Sequence, residues 1–546
     1  MKLATPKRLR ERGVALLVGT ASLLIIIPMV GLAVDVGYLY AVKARLQASV
    51  DGAALAAARS LNLGSSTAAQ AASAQQNAVN WFYANFPSQN WGTTGTIMNT
   101  TRVQVYDDAT NPNLRHVDIT ANTSVPTYFM KWLHFESTTI TGIGRASRRD
   151  SVIMLVLDRS GSMCAPASSP CNNTGACGPM KTAAKLFTGQ FAAGRDYIGL
   201  VSFSDGTYVH SAPTRNFRTV LGYTNSSASG SGAIDTIQCQ GGTGSAQAIS
   251  MGYNELYKTN LPGAMNVLLF ESDGLPNTLA INMWDAPSNS FALANINGCT
   301  DATGKSKTAG GWTTFASRRL WQSSTIPMNS PTAGFMPDIP TGPIAGLYST
   351  DPSGGQSFLL FMNPFHTSGN QSGASPYRTA TACKSEAGHT DLSDFAWIPS
   401  TDVFGNSVNP PSHPYKAVTM NGTHLKFDSS QSTAQKWTNY HAGALNATDH
   451  AAYRARTNAN LKASLFVIGL GGQGADPPDY TLMQRLANDS QADSFNTPSR
   501  YNACASTPSC YTYDDQPHGT FIFSTNQSTL KQAFLKLSSQ ILRLNQ

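Results

Sequence analysis

The chain has 546 residues, 41% hydrophobic and only 13% charged, with 46 Gly and 29 Pro. That balance excludes a disordered polyelectrolyte and suits several loop-rich, exported modules. The net charge of +7 is concentrated at the start, where Lys2, Lys7, Arg8, Arg10 and Arg12 face Glu11 alone. The remainder offers no basic binding face, and nucleic acid is excluded as a partner.

Residues 1–12 read as a basic tail. From Gly13 to Val34 there is no charged residue, and VALLVGTASLLIIIPMVGLAV is 21 residues long, about 31 Å of helix against a bilayer core of about 30 Å. The run is longer than the apolar part of a signal peptide and lacks a clear small-x-small cleavage site, so residues 13–34 are predicted to be a retained transmembrane helix. The basic cluster before the span places the N-terminus in the cytoplasm and everything after Asp35 outside.

Residues 35–150 are expected to form a stem. Leu39, Val42, Leu46, Val50, Ala53 and Ala57 recur at spacings of three and four, so one long helix leaves the bilayer. A second helix is predicted from Thr67 to Phe86, closing on Trp81, Phe82, Tyr83 and Phe86. Residues 101–147 alternate as strands do, in RVQVY and HVDITANTSV. Helix followed by small sheet is a pilin-like α+β outline.

The segment RERGVALLVGTASLLIIIPMVGLAVDVGYLYAVKARLQASVDGAALAAARSL resembles the N-terminus of TadG-like proteins of the Tad (tight adherence, Flp) pilus-assembly system. The likeness lies in the Arg-Gly before the span, the Ala-Val-Asp-Val-Gly exit with a following aromatic, and the alanine-rich helix. It implies a bacterial inner-membrane protein, single-pass, whose extracytoplasmic bulk meets other pilus-assembly components. Pilins cut by prepilin peptidase carry a Glu five residues after the cleavage Gly; here that position is Val18, which argues against processing as a major pilin.

Residues 151–546 hold the second module. VIMLVL (152–157) is a continuous apolar run, as expected of a strand buried on both faces of a parallel sheet. It ends in Asp158-Arg-Ser160-Gly-Ser162, which in an extended loop points one carboxylate and two hydroxyls the same way. Gly241-Gly242-Thr243 precedes a helix-like stretch, and NVLLFESDGLPN presents a second apolar strand ending at Asp273-Gly274. In an open parallel sheet such loops meet outside the carboxyl ends of the strands. Oxygen donors without His or Cys suit a hard cation: Mg²⁺ first, with Mn²⁺ or Ca²⁺ as substitutes.

Asp-x-Ser-x-Ser, then Thr, then Asp-Gly resembles the metal-ion-dependent adhesion site of von Willebrand factor A domains. The resemblance implies a doubly wound, mostly parallel α/β sheet of Rossmann-like type. It also implies a cation held by Asp158, Ser160, Ser162, Thr243 and Asp273, with one position open to an Asp or Glu of a protein partner. Further strands are expected at 195–205, 463–471 and from 520, with helices at 479–489 and up to 542. Leu530, Phe534, Leu537 and Ile541 give the last helix an apolar stripe.

Two stretches depart from that outline. The loop after Ser162 carries three of the eight cysteines. No Cys-x-x-Cys pair exists, which excludes zinc-ribbon and thioredoxin-like sites. Cys171 with Cys177, and Cys504 with Cys510, are close enough in sequence to staple loops, free buried thiols being the alternative. An insertion of roughly residues 275–441 carries Trp284, Trp312, Trp321, Trp397 and Trp437 and is expected to fold, either as a lid or recognition module at the metal edge or as a packed decoration.

Enzyme readings fail on context. GCTDATGKS (298–306) has five residues between its glycines where a P-loop needs four. Ser528-x-x-Lys531 opens a predicted helix, and the histidines lack zinc-protease spacing. The expectation is a non-enzymatic, metal-dependent binding component of Tad pilus assembly, with a minor pilin-like or tip adhesin subunit as the alternative.

Overall fold

The apolar run and the alanine-rich repeat form one uninterrupted helix, α1 (Glu11–Ser60). It is long and apolar enough to cross a membrane, and its most apolar stretch is almost wholly exposed, as a lipid-facing segment is. This is a computed structural model. It describes residues 11–168, 170–204, 207–223, 231–281, 401–402, 404–408, 430–471, 478–489 and 516–545, with short strand segments between 284 and 426. The chain divides into two compact units, meeting between Arg149 and Asp150.

In the first unit the distal part of α1 packs on α2 (Thr67–Asn85) and on a four-stranded antiparallel sheet. Its strands are β1 (Thr94–Ile97), β2 (Val103–Asp107), β3 (Leu114–Pro126) and β4 (Ser137–Arg149). β3 is central: β4 pairs along its whole length, while β2 and β1 share its other edge in turn. Val42, Leu46, Val50, Ala53 and Ala57 are fully buried against Ala74, Ala78, Phe82, Val117 and Ile119. A buried leucine or valine of this kind contributes about 2 kcal/mol. Gly144 allows the close approach of helix and sheet, since a Cβ there would lie 2.9 Å from Val50 Cγ1.

Asp35 is fully buried, although it follows the apolar span directly. Its carboxylate accepts the backbone N–H groups of Tyr128, Phe129 and Met130, at 2.8, 2.9 and 2.7 Å, in the connection between β3 and β4.

The second unit is built on a six-stranded sheet. Its elements are β5 (Ser151–Asp158), α3 (Cys177–Thr188), β6 (Tyr197–Phe203), β7 (Thr207–Thr214), α4 (Phe217–Leu221), α5 (Ser245–Thr259), β8 (Met265–Ser272), α6 (Thr433–Thr457), β9 (Ser464–Leu470), α7 (Tyr480–Ala487), β10 (Phe521–Ser524) and α8 (Gln527–Leu544). The spatial order is β10-β9-β8-β5-β6-β7, parallel throughout except for β7, which runs antiparallel to β6.

All eight residues of β5 are buried, and their period of two divides them between two cores. Val152, Met154 and Val156 join Ile249, Leu256, Leu445, Ala452 and Leu486 of α5, α6 and α7. Ile153, Leu155 and Leu157 join Phe187, Leu221, Leu530 and Phe534 of α3, α4 and α8. Helices therefore cover both faces, and the fold is the doubly wound, mostly parallel α/β type.

Most of the tryptophan-bearing stretch 275–441 lies outside the described residues. Within it, Thr278–Ile281 pairs antiparallel with Ala345–Ser349, and α6 starts at Thr433, where Ser432 and Gln435 form a capping box. Ser528 and Lys531 sit in the first turns of α8, where Asn526 accepts the backbone N–H groups of Ser528 and Thr529.

Candidate metal centre

After Ser151, β5 is apolar up to Asp158, so the polar atoms of the site begin where the strand leaves the sheet. There the Ser160 N–H donates to Asp158 Oδ1 at 2.7 Å and bends the chain back. The intervening Arg159 is fully buried, its Nε donating to Ser202 Oγ on β6 at 3.1 Å. Ser160 and Ser162 stay together, with their hydroxyl oxygens 2.9 Å apart.

β8 lies beside β5 and delivers Asp273 to the same place. Its Oδ1 accepts from Ser162 Oγ at 2.8 Å and from Ser160 Oγ at 3.2 Å. Thr243 comes from the loop before α5. A methyl group on Gly274 would lie 3.4 Å from Thr243 Oγ1 and 3.8 Å from Ser162 Oγ, so both hydroxyls flank the Asp273-Gly274 turn. All five predicted residues thus meet at the carboxyl edge of the sheet. Four are buried, and Ser162 is half-buried.

Three neighbours in the site escaped the sequence reading. Ser272 Oγ donates to Asp158 Oδ2 at 2.5 Å. Asn277 holds the Thr243 loop twice, its Oδ1 accepting the Thr243 N–H at 2.6 Å and its N–H donating to the Thr243 carbonyl at 3.0 Å. Glu271 is a fully buried carboxylate at the end of β8. A carboxylate directly after the apolar run VLLF was the signal that could have marked it.

The electrostatics are those of crowded acids. Burial pushes Asp158 up to about 6, although hydrogen bonds from Ser272 and Ser160 pull the other way. Burial, then the charge of Asp158, raises Asp273 well above the usual carboxylate range. Glu271 is raised by burial and by both aspartates, against the pull of the Asp158 backbone N–H. Among the described residues, Asp273 Oδ2 has no hydrogen-bond partner, and neither oxygen of Glu271 has one within good geometry.

Unsatisfied buried carboxylates are costly, and a cation among them relieves the cost. Carboxylate and hydroxyl oxygens without nitrogen or sulfur fit a hard divalent ion, and Asp158, Ser160, Ser162, Thr243 and Asp273 are the residues that could hold it.

Two disulfides tie the surrounding loops. Cys164 pairs with Cys171, and Cys177 pairs with Cys239. The expected Cys171–Cys177 staple is therefore corrected: both residues are oxidised, but to other partners. The reason lies in the fold. Cys171 and Cys239 form an isolated β-bridge, which brings the start of α3 to the segment before Gly241. The second disulfide thus joins the Ser162 side of the site to the Thr243 side. Cys504 and Cys510 lie outside the described residues.

Residues 13–60 match the family model described as putative Flp pilus-assembly TadE/G-like, and residues 153–275 match that of the von Willebrand factor type A domain. The chain carries a TadE/G-like N-terminal segment and a von Willebrand factor A domain. All five candidate ligands fall within the matched part of this A domain, and the TadE/G-like match covers nearly all of α1.

Among solved structures, the chain is similar to three proteins with pilus descriptions. One is the PilB minor pilin from Streptococcus sanguinis, at 11% identity over 81% of this chain and 78% of that one, with a TM-score of 0.30. Another is the pilus adhesin SpaC from Lactobacillus rhamnosus GG in its open conformation, at 12% identity, 82% and 36% coverage and a TM-score of 0.32. The third is the vWF domain of the type V pili tip protein Mfa5 from Porphyromonas gingivalis, at 14% identity, 73% and 98% coverage and a TM-score of 0.31. No curated protein matches the chain.

Proposed function

We propose that the A domain is a metal-dependent protein-capture module of Tad pilus assembly, carried on a single-pass inner-membrane anchor with its N-terminus in the cytoplasm. Mg²⁺, or Mn²⁺ or Ca²⁺ in its place, is held by Asp158, Ser160, Ser162, Thr243 and Asp273. The ion supplies a Lewis-acidic position for an Asp or Glu of a partner protein among the pilus-assembly components.

The observation that carries this reading is the convergence of Asp158 and Asp273, both buried, on two serine hydroxyls at one sheet edge. The protein's own residues do the positioning. Ser272 orients Asp158, Asn277 fixes the Thr243 loop, and the Cys177–Cys239 disulfide holds two of the contributing loops together. The domain performs no bond chemistry in this role.

The test is capture of pilus-assembly components by the full-length protein in detergent, with Mg²⁺ or with EDTA, beside Asp158→Ala. Capture is expected only for the wild type with Mg²⁺; equal capture by the variant overturns the reading. Fractionation separates assembly machinery from an adhesin: protein confined to the inner membrane supports the proposal, and protein in sheared pili assigns it to the pilus itself.

A further inference from the structure

The connection between β3 and β4 is unusual for a turn. Its tip reads Tyr128-Phe-Met-Lys-Trp-Leu-His-Phe135, whereas exposed turns are ordinarily polar. Tyr128, Trp132, Leu133 and Phe135 are 51%, 81%, 65% and 58% exposed. A contiguous apolar patch of this kind marks a contact surface.

The tip is fixed at a definite height along α1. Asp35 binds the N–H groups of Tyr128, Phe129 and Met130. One helical turn earlier, about 6 Å nearer the N-terminus, Gly31 is buried under Phe129: a Cβ there would lie 2.6 Å from Phe129 Cγ. The tip therefore overlaps the apolar run itself. Beside it lies a groove of about 510 Å³ between Ile27, Met29 and Leu32 of α1 and Phe129, Trp132 and Leu133 of the tip.

We infer that this tip is a lipid-binding wedge that enters the same leaflet as residues 27–34, and that the groove takes a phospholipid acyl chain. The inference rests on the membrane-anchor reading of α1. It also requires that non-helical backbone survive in hydrocarbon, where every unsatisfied N–H is costly. The loop meets that requirement to an unusual degree. Besides the three donors held by Asp35, the N–H groups of Thr127, Trp132, His134 and Phe135 bond to the carbonyls of Glu136, Phe129, Lys131 and Met130. Tyr128 and Trp132 beside one exposed cation, Lys131, are the composition that headgroup regions favour. Continuity with the exposed apolar side chains of the span favours lipid over a second copy of this chain.

The test uses the full chain reconstituted into vesicles of phosphatidylethanolamine and phosphatidylglycerol, with and without bromine on the acyl chains. Trp132 is exposed, so Trp132→Phe leaves the packing intact, and the difference between wild-type and variant fluorescence isolates it. Flotation with the vesicles reports the anchor independently. The expected result is flotation of both proteins, with a blue-shifted Trp132 signal quenched several-fold by brominated chains. Flotation with a Trp132 signal open to aqueous acrylamide and untouched by bromine overturns the wedge and leaves the anchor. A signal shielded from both quenchers overturns it in favour of a protein contact. Failure to float overturns wedge and anchor together.

Discussion

The Ser272 hydroxyl donates to Oδ2 of Asp158 at 2.5 Å, from one strand end to the next. Removing it leaves a buried carboxylate that is less well oriented and harder to ionise. Ser272→Ala is expected to weaken Mg²⁺ binding roughly tenfold, the low end for loss of a group that orients a metal ligand. Titration calorimetry measures this directly, and unchanged affinity would mean that Asp158 is positioned without Ser272.

Glu271 adds a third buried carboxylate beside Asp158 and Asp273. Glu271→Gln should stabilise the metal-free A domain by about 1–2 kcal/mol, because a neutral amide avoids the cost of burying an ionisable carboxyl beside two acids. The stabilisation gained on adding Mg²⁺ should shrink correspondingly. Denaturant unfolding in EDTA and in Mg²⁺ reads both quantities; a less stable metal-free variant would show that Glu271 is compensated in the native state.

The two disulfides differ in what they constrain. Cys177–Cys239 closes a separation of 62 residues and Cys164–Cys171 one of 7. On the chain-entropy argument these are worth about 4 and about 2 kcal/mol. Replacing Cys177 and Cys239 with serine should therefore cost more stability than replacing Cys164 and Cys171. Non-reducing peptide mapping checks the pairing, and a Cys171–Cys177 linked peptide would contradict it.

His450 supplies a pH dependence. Its Nδ1 accepts the Ser407 N–H at 3.2 Å, and burial, then the charge of Arg454, lowers its pKa to about 4. The folded value lies below the unfolded value of about 6.5. The stability from keeping this ring neutral is therefore complete above pH 6.5 and is lost as pH falls towards 4. By pH 5 the loss is on the order of 2 kcal/mol. His450→Gln should lose less stability than the wild type between pH 7 and pH 5, and parallel profiles would remove His450 as the cause.

The parts of the fold that sequence exposed are those in which one physical signal dominates. VIMLVL and VLLF are apolar because parallel strands are covered on both faces, and the polar residues that follow, Asp158 and Glu271-Ser-Asp273, mark where each apolar run ends. Glu271 and Ser272 were hidden because they read as the tail of a strand, although both face acids in the folded site. α6 was missed for a different reason. TAQKWTNYHAGALNATDHAAYRART has few large apolar residues, and its buried face is largely alanine, so no strong stripe announces it. The antiparallel β7 also escaped, because its alternation is short and weak. The cysteine pairing depended on a β-bridge between residues far apart in sequence, which spacing alone does not reveal.

The unbroken course of α1 has a mechanical meaning. Its 50 residues extend about 75 Å, with the membrane-crossing part and the stem on the same rod and no slack segment between them. Such an anchor is a mast rather than a tether. A sideways load on the stem is transmitted as a change of helix tilt, so the surrounding lipids bear the torque that a flexible linker would have dissipated.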